Sequence, residues 1–101
     1  MKLKAEVKLL SQASIDLVEI IDFIAEDKPA AAEKMADKFE RAFELLGQNP
    51  KAGRTVRDNR LKLLGYRILI VSPYILFYQL RNDIVFVFRI LHGARDYPNI
   101  L

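Results

Sequence analysis

A chain of 101 residues has room for one domain with a modest core and not for two. Hydrophobic residues make up 51% and charged residues 29%, which excludes a disordered chain, and no apolar run nears the roughly 20 residues needed to span a bilayer. There is no cysteine and a single histidine, which excludes disulfides and a structural zinc site, and the formal charge of +3 is uneven: residues 1–50 carry 7 Lys/Arg against 10 Asp/Glu, and residues 51–101 carry 9 against 3.

The opening "MKLKAEVKLL" has basic residues without the apolar stretch of a signal peptide, so the expected setting is the cytoplasm, with no membrane contact. The basic second half is the half expected to meet an acidic partner, a nucleic acid or a protein segment, unless its charge is ordinary surface charge.

Residues 2–9 alternate. Leu3, Ala5, Val7 and Leu9 face one way and Lys2, Lys4, Glu6 and Lys8 the other, which predicts a half-buried edge strand guarded by lysines. Ser11 or Ser14 can cap the helix that follows. Leu17, Ile20, Ile21 and Ile24 recur at helical spacing, and Asp16, Glu19, Asp22 and Glu26 fill the outer face. Pro29 opens a second helix, where its missing N–H costs nothing. Ala32, Met35, Ala36, Phe39, Ala42, Phe43 and Leu46 form its stripe, and Gly47 is a natural stop. So short a connection predicts an antiparallel helical hairpin.

Residues 47–65, "GQNPKAGRTVRDNRLKLLG", read as an irregular basic connection in which "RLKLL" is a candidate strand. Three strands then close the chain: "YRILIV" (66–71), "YILFYQL" (74–80) and "IVFVFRIL" (84–91), joined by turns short enough for antiparallel hairpins. The fold class is α+β, in the order β-α-α-β-β-β, as one domain over residues 1–101: an N-terminal strand, an antiparallel helical hairpin, then three antiparallel strands.

Two helices cover one face of such a sheet, yet the last strand is apolar on both. Ile84, Phe86, Phe88 and Ile90 alternate with Val85, Val87 and Leu91, broken only by Arg89. Leu69 and Phe77 add to this surplus in the neighbouring strands. An uncovered apolar face marks a partner site, unless the 47–65 segment, the C-terminal tail or self-association covers it. The reading favoured here is a protein partner that meets apolar anchors among basic residues.

No catalytic triad is visible. His92 has no cysteine partner, the serines sit at expected caps and turns, and the four glycines are isolated rather than gathered in a phosphate-binding loop. Metal-free RNA cleavage needs only a base, an acid and cations, and Arg67, Arg89, His92, Arg95 and Tyr97 contain such groups. Their spacing does not establish that they converge. No cofactor and no metal are implied.

Four stretches, in order, resemble the ParE toxins of the RelE/ParE superfamily, which belong to bacterial type II toxin–antitoxin modules. They are "SQASIDLVEIIDFIAEDKPAAAEKMADKF", "LLGQNPKAGR", "GYRILIVSPYILFYQL" and the terminal "VFRILHGARDYPNIL". The resemblance runs over nearly the whole chain, with Phe23 where the family often has Tyr. It implies two helices on an antiparallel sheet, poisoning of DNA gyrase by protein contact, and neutralisation by a ParD-like antitoxin. No sequence-specific DNA binding is expected. The superfamily also holds RelE-type ribosome-dependent mRNA endonucleases, so the resemblance leaves that activity, or a non-toxic antitoxin-binding module, as the alternative. On the gyrase reading, the candidate target contacts are Arg89, His92, Arg95, Asp96 and Tyr97, supported by Arg54, Arg57 and Arg67. The candidate antitoxin contacts are Val85, Val87, Leu91, Leu69 and Phe77. Arg95 and Asp96 can instead pair with each other and fix the tail.

Overall fold

The computed structural model describes residues 5–93. In chain order they form β1 (Glu6–Leu9), α1 (Ser11–Asp27), α2 (Pro29–Gln48), β2 (Arg54–Thr55), α3 (Asn59–Leu63), β3 (Arg67–Val71), β4 (Tyr74–Arg81) and β5 (Ile84–His92). The predicted α+β order holds, with one short strand and one short helix added inside the basic connection. The five strands make a single sheet in the order β1-β5-β4-β3-β2. β3, β4 and β5 are antiparallel neighbours as predicted, whereas β1 lies parallel to β5, so the sheet is mixed.

β1 is the edge strand its lysines predict, and its alternation survives: Glu6 and Lys8 are exposed, Val7 and Leu9 half-buried. Neither serine caps α1. Leu10 takes the N-cap position, and no side chain bonds to the helix start there. Pro29 stands at the first turn of α2, as expected. Gly47 is not the stop. α2 runs through it to Gln48, and the Gly47 carbonyl accepts the Ala5 N–H at 2.9 Å, tying the end of α2 to the start of β1.

The main core lies between the helical hairpin and the sheet. Phe39 and Leu46 of α2 meet Leu76 and Tyr78 of β4 and Val85, Val87 and Ile90 of β5. That Val87 and Ile90 share a face breaks the two-residue alternation, and the cause is a β-bulge. Phe77 pairs with Arg89 but Tyr78 pairs with Val87, which leaves Phe88 without a partner on β4. One extra residue reverses the phase of everything after it.

The opposite face is not open. Val56, Leu61, Ile68, Phe77 and Leu91 form a second buried cluster, flanked by Tyr66 and Ile75. The lid over that face is the basic connection itself. "RLKLL" is helical rather than extended: Asp58 caps α3, its Oδ1 accepting the Leu61 N–H at 2.9 Å, and Leu61 is driven completely out of water. The surplus of apolar residues in β5 is therefore consumed within the chain. No helix among the described residues is long and apolar enough to cross a membrane.

Candidate functional site

β1 pairs with β5 only as far as Val87, so beyond that point the outer edge of β5 has no strand neighbour among the described residues. Asp16, from the second turn of α1, fills the gap. Its Oδ2 accepts the Ile90 N–H at 2.9 Å and the Arg89 Nε at 2.8 Å, its Oδ1 accepts Arg89 Nη2 at 3.1 Å, and Gln12 Nε2 donates to Oδ1 at 3.1 Å. Asp16 is thus not a member of the solvent face of α1 but a buried residue, 7% exposed. Burial pushes its carboxyl pKa up, but hydrogen bonds from Arg89, Ile90 and Gln12 and the Arg89 charge outweigh that and hold it below its ordinary value. The hydrogen bond to Asp16 raises the Arg89 guanidinium above its own ordinary value. Arg89, a candidate target contact, has its fork on Asp16 and ties α1 to the sheet.

A concavity of about 450 Å³ opens beside this pair, lined by Asp16, Glu19, Phe23, Tyr74, Arg89 and His92 among others. His92 is exposed at the end of β5 and stacks edge-on against Tyr74, with ring centroids 5.7 Å apart. Phe23, where the family often has Tyr, is 74% exposed at the rim. Arg95, Asp96 and Tyr97 lie outside the described residues. Among the described residues no group of three or more His, Asp or Glu side chains is placed to hold a metal ion.

Arg67 serves the loop. Its Nη2 donates to the carbonyls of Lys51, at 3.1 Å, and Gly53. The neighbouring Tyr78 is fully buried, and its hydroxyl donates to the Pro50 carbonyl at 2.9 Å and accepts the Gly53 N–H at 2.9 Å. The approach is so close that a Cβ on Gly53 would sit 2.3 Å from the Ile68 carbonyl oxygen and 2.6 Å from the Tyr78 hydroxyl. The "P-x-x-G-R" stretch therefore works as a clasp: Pro50 supplies an acceptor, Gly53 a donor and room, and Arg54 emerges at the start of β2. Arg54 and Arg57 are exposed, Arg54 on the edge strand β2, three strands from His92 on β5, and Arg57 just after it in the chain. The structure does not gather the five predicted target contacts that fall among the described residues. His92 stands at one end, Arg54 and Arg57 at the other, and Arg67 and Arg89 are bonded inward.

The predicted antitoxin contacts fare differently. Val85, Val87 and Phe77 are 0% exposed and Leu91 6%, so these four are core residues and offer a partner no surface. Sequence alternation placed them on an open face because neither the bulge nor α3 was visible in it. Leu69 alone remains accessible. It is half-buried in a groove of about 360 Å³ between α2 and β3, with Leu45 and Ile70 exposed beside it and Lys38 and Arg41 at the rim. Leu45 and Ile70 were missed, although their apolar character outside the helical and strand stripes was the available signal.

With this geometry in view, the comparisons with known proteins are consistent. A family model for the ParE toxin of the type II toxin–antitoxin system parDE matches residues 7–97. The chain is 32% identical over 91 residues to "Toxin RelE2" of Caulobacter vibrioides, covering 90% of this chain and 98% of that protein. It is 28% identical over 85 residues to "Putative toxin Y4kP" of Sinorhizobium fredii, covering 84% of each. Among solved structures, a chain of the chromosomal ParDE system from P. aeruginosa superposes with a TM-score of 0.72 at 22% identity, over 88% of this chain and 96% of that one. A chain of the RelBE2 toxin–antitoxin complex from Mycobacterium tuberculosis does so with a TM-score of 0.62 at 22% identity, over 89% of this chain and 99% of that one. The fold is thus shared with ParE and RelE proteins alike, and the chain belongs to the ParE toxin family, the toxins of type II toxin–antitoxin systems within the RelE/ParE superfamily.

Proposed function

We propose that this toxin poisons DNA gyrase by protein–protein contact and is neutralised by a ParD-like antitoxin. The observation that carries the reading is the state of Arg67 and Arg89. An RNA-cleaving site would need these cations free to hold a scissile phosphate. Here Arg89 is bonded to Asp16 and Arg67 to the carbonyls of Lys51 and Gly53. Accessible polar groups remain at His92, Arg54 and Arg57, and we assign these, with Arg95, Asp96 and Tyr97, to contact with the target. The antitoxin is assigned to the groove of Leu69, Leu45 and Ile70, where Lys38 and Arg41 suit an acidic segment.

The second reading, a RelE-type ribosome-dependent mRNA endonuclease, is favoured by the name of the Caulobacter relative, "Toxin RelE2", at 32% identity. One pair of assays separates the two. Purified protein is tested for inhibition of gyrase supercoiling and for cleavage of mRNA on translating ribosomes. Inhibition without cleavage is expected. Cleavage with normal supercoiling would overturn the gyrase reading, and inactivity in both would favour a non-toxic antitoxin-binding module.

A further inference from the structure

The segment that covers the second core carries a feature its covering role does not use. Leu61 points into the cluster and is 0% exposed, but the two leucines after it, Leu63 and Leu64, are 88% and 51% exposed. Exposed leucines on a small domain are ordinary when scattered, but these are adjacent and held rigidly. Asp58 caps the start of α3, Leu61 anchors its middle, and Gln79 Nε2, from a buried side chain of β4, donates to the Leu64 carbonyl at 3.0 Å. Gly65 then turns the chain away at a φ of +86°, in the region open chiefly to glycine. Little conformational freedom is left to lose on binding, which is the economy of a preorganised contact.

The charge around this tip is one-sided. From residue 51 to 67 the chain holds Lys51, Arg54, Arg57, Arg60, Lys62 and Arg67 against one acid, Asp58, and Asp58 is engaged as the cap of α3. Exposed leucines in a segment this rich in cations are complementary to an acidic surface with an apolar pocket. A nucleic acid would use the same cations but would gain from aromatic rings rather than from leucines. The leucines therefore favour a protein.

The geometry points to the α3 tip, Leu63 and Leu64 in the same basic segment as Arg57 and Lys62, as a docking surface for an acidic, apolar-pocketed patch on the toxin's protein target, distinct from the α2–β3 groove assigned to the antitoxin. The identity of that target rests on the gyrase reading above.

The test uses the full chain and three variants: Leu63→Ser with Leu64→Ser, Lys62→Glu, and Arg57→Glu. Each is measured for inhibition of gyrase supercoiling, for growth arrest on expression in bacteria, for capture by the cognate antitoxin, and for its melting temperature. The expected result is at least a tenfold rise in the inhibitory concentration and at least a tenfold recovery of plating for the leucine pair and for Lys62→Glu, with antitoxin capture and melting unchanged. Wild-type potency in the leucine pair, on a protein that does inhibit gyrase, would overturn the docking surface and leave the gyrase reading standing. Growth arrest that depends on the leucines without gyrase inhibition would overturn the gyrase reading and leave the docking surface standing. Effects from the charge reversals alone would point to a nucleic-acid surface and overturn the proposal. Loss of antitoxin capture in the leucine pair would assign the tip to the antitoxin instead and overturn it too. A wild-type chain that neither inhibits gyrase nor arrests growth would overturn both.

Discussion

Arg89 and Asp16, 73 positions apart in sequence, meet in a two-pronged bond on β5 beyond the reach of β1, Nε to Oδ2 at 2.8 Å and Nη2 to Oδ1 at 3.1 Å. The same Oδ2 also takes the Ile90 N–H, so one carboxylate does the work of the strand that β1 is too short to supply. Removing it leaves a half-buried guanidinium and a buried N–H without partners. Asp16→Ala is expected to destabilise the fold by about 2–3 kcal/mol, and Arg89→Ala by about 2 kcal/mol. Both should appear as a fall in the urea midpoint with an unchanged slope. Stability within about 0.5 kcal/mol of wild type in Arg89→Ala would return Arg89 to the role of a surface contact.

The same pair sets a pH dependence. The folded Asp16 carboxyl titrates below its ordinary value of 3.8, because the hydrogen bonds to its charged form outweigh the cost of burial. A depressed carboxyl pKa contributes stability that is fully present above the unfolded value and is lost as pH falls through the folded one. The stability difference between wild type and Asp16→Asn should therefore be constant from neutral pH down to about pH 5 and shrink below about pH 4. Thermal melts across that range decide it. A difference that persists unchanged to about pH 2.5 would mean that the carboxylate charge contributes nothing.

Element order was legible in the sequence because periodicity and punctuation agree there: the alternation of Val7 and Leu9, the helical stripe through Phe39 and Leu46, and the short turns between the last three strands. The sidedness of the last strand was not. A period of two assigns Val87 and Leu91 to one face, but the unpaired Phe88 shifts the phase, and Ile90 joins Val87 while Leu91 faces the other core. A bulge leaves no local mark in composition, since Phe88 is as good a strand residue as its neighbours. The role of Asp16 was hidden for a related reason: on a helix wheel it sits among Glu19 and Asp22, and only a partner 73 residues away takes it out of water. The importance of Arg89 could be seen from its being the one charge in an apolar strand, but not the direction in which it is used.

The clasp around Tyr78 gives a prediction about coupling. Tyr78→Phe strands the Gly53 N–H and the Pro50 carbonyl and is expected to cost about 1–3 kcal/mol. Gly53→Ala forces a methyl to within 2.3 Å of the Ile68 carbonyl oxygen, so the loop must move off the sheet and break the same two bonds. Because both changes dismantle one contact, the double variant should lose less stability than the two single losses added together. Strict additivity in chemical denaturation would show that the loop keeps its place without the tyrosine.

Arg54, Arg57 and His92 are exposed, and their alanine variants are expected to keep wild-type stability within about 0.5 kcal/mol while losing toxicity. Arg54 stands on the edge strand β2, three strands from His92 on β5, with Arg57 just after it in the chain, so one small epitope cannot span them. If the target is a large protein surface, the two ends contribute separately and their effects on inhibition of supercoiling should multiply, as independent contacts do. If only one end touches the target, the variants of the other end will inhibit like wild type. The arginine variants also carry a salt signature. A contact made by exposed cations weakens as ionic strength screens it, so the wild-type inhibitory concentration should rise with salt, and less steeply once Arg54 and Arg57 are removed. Equal salt dependence in wild type and the arginine variants would take these two residues out of the interface.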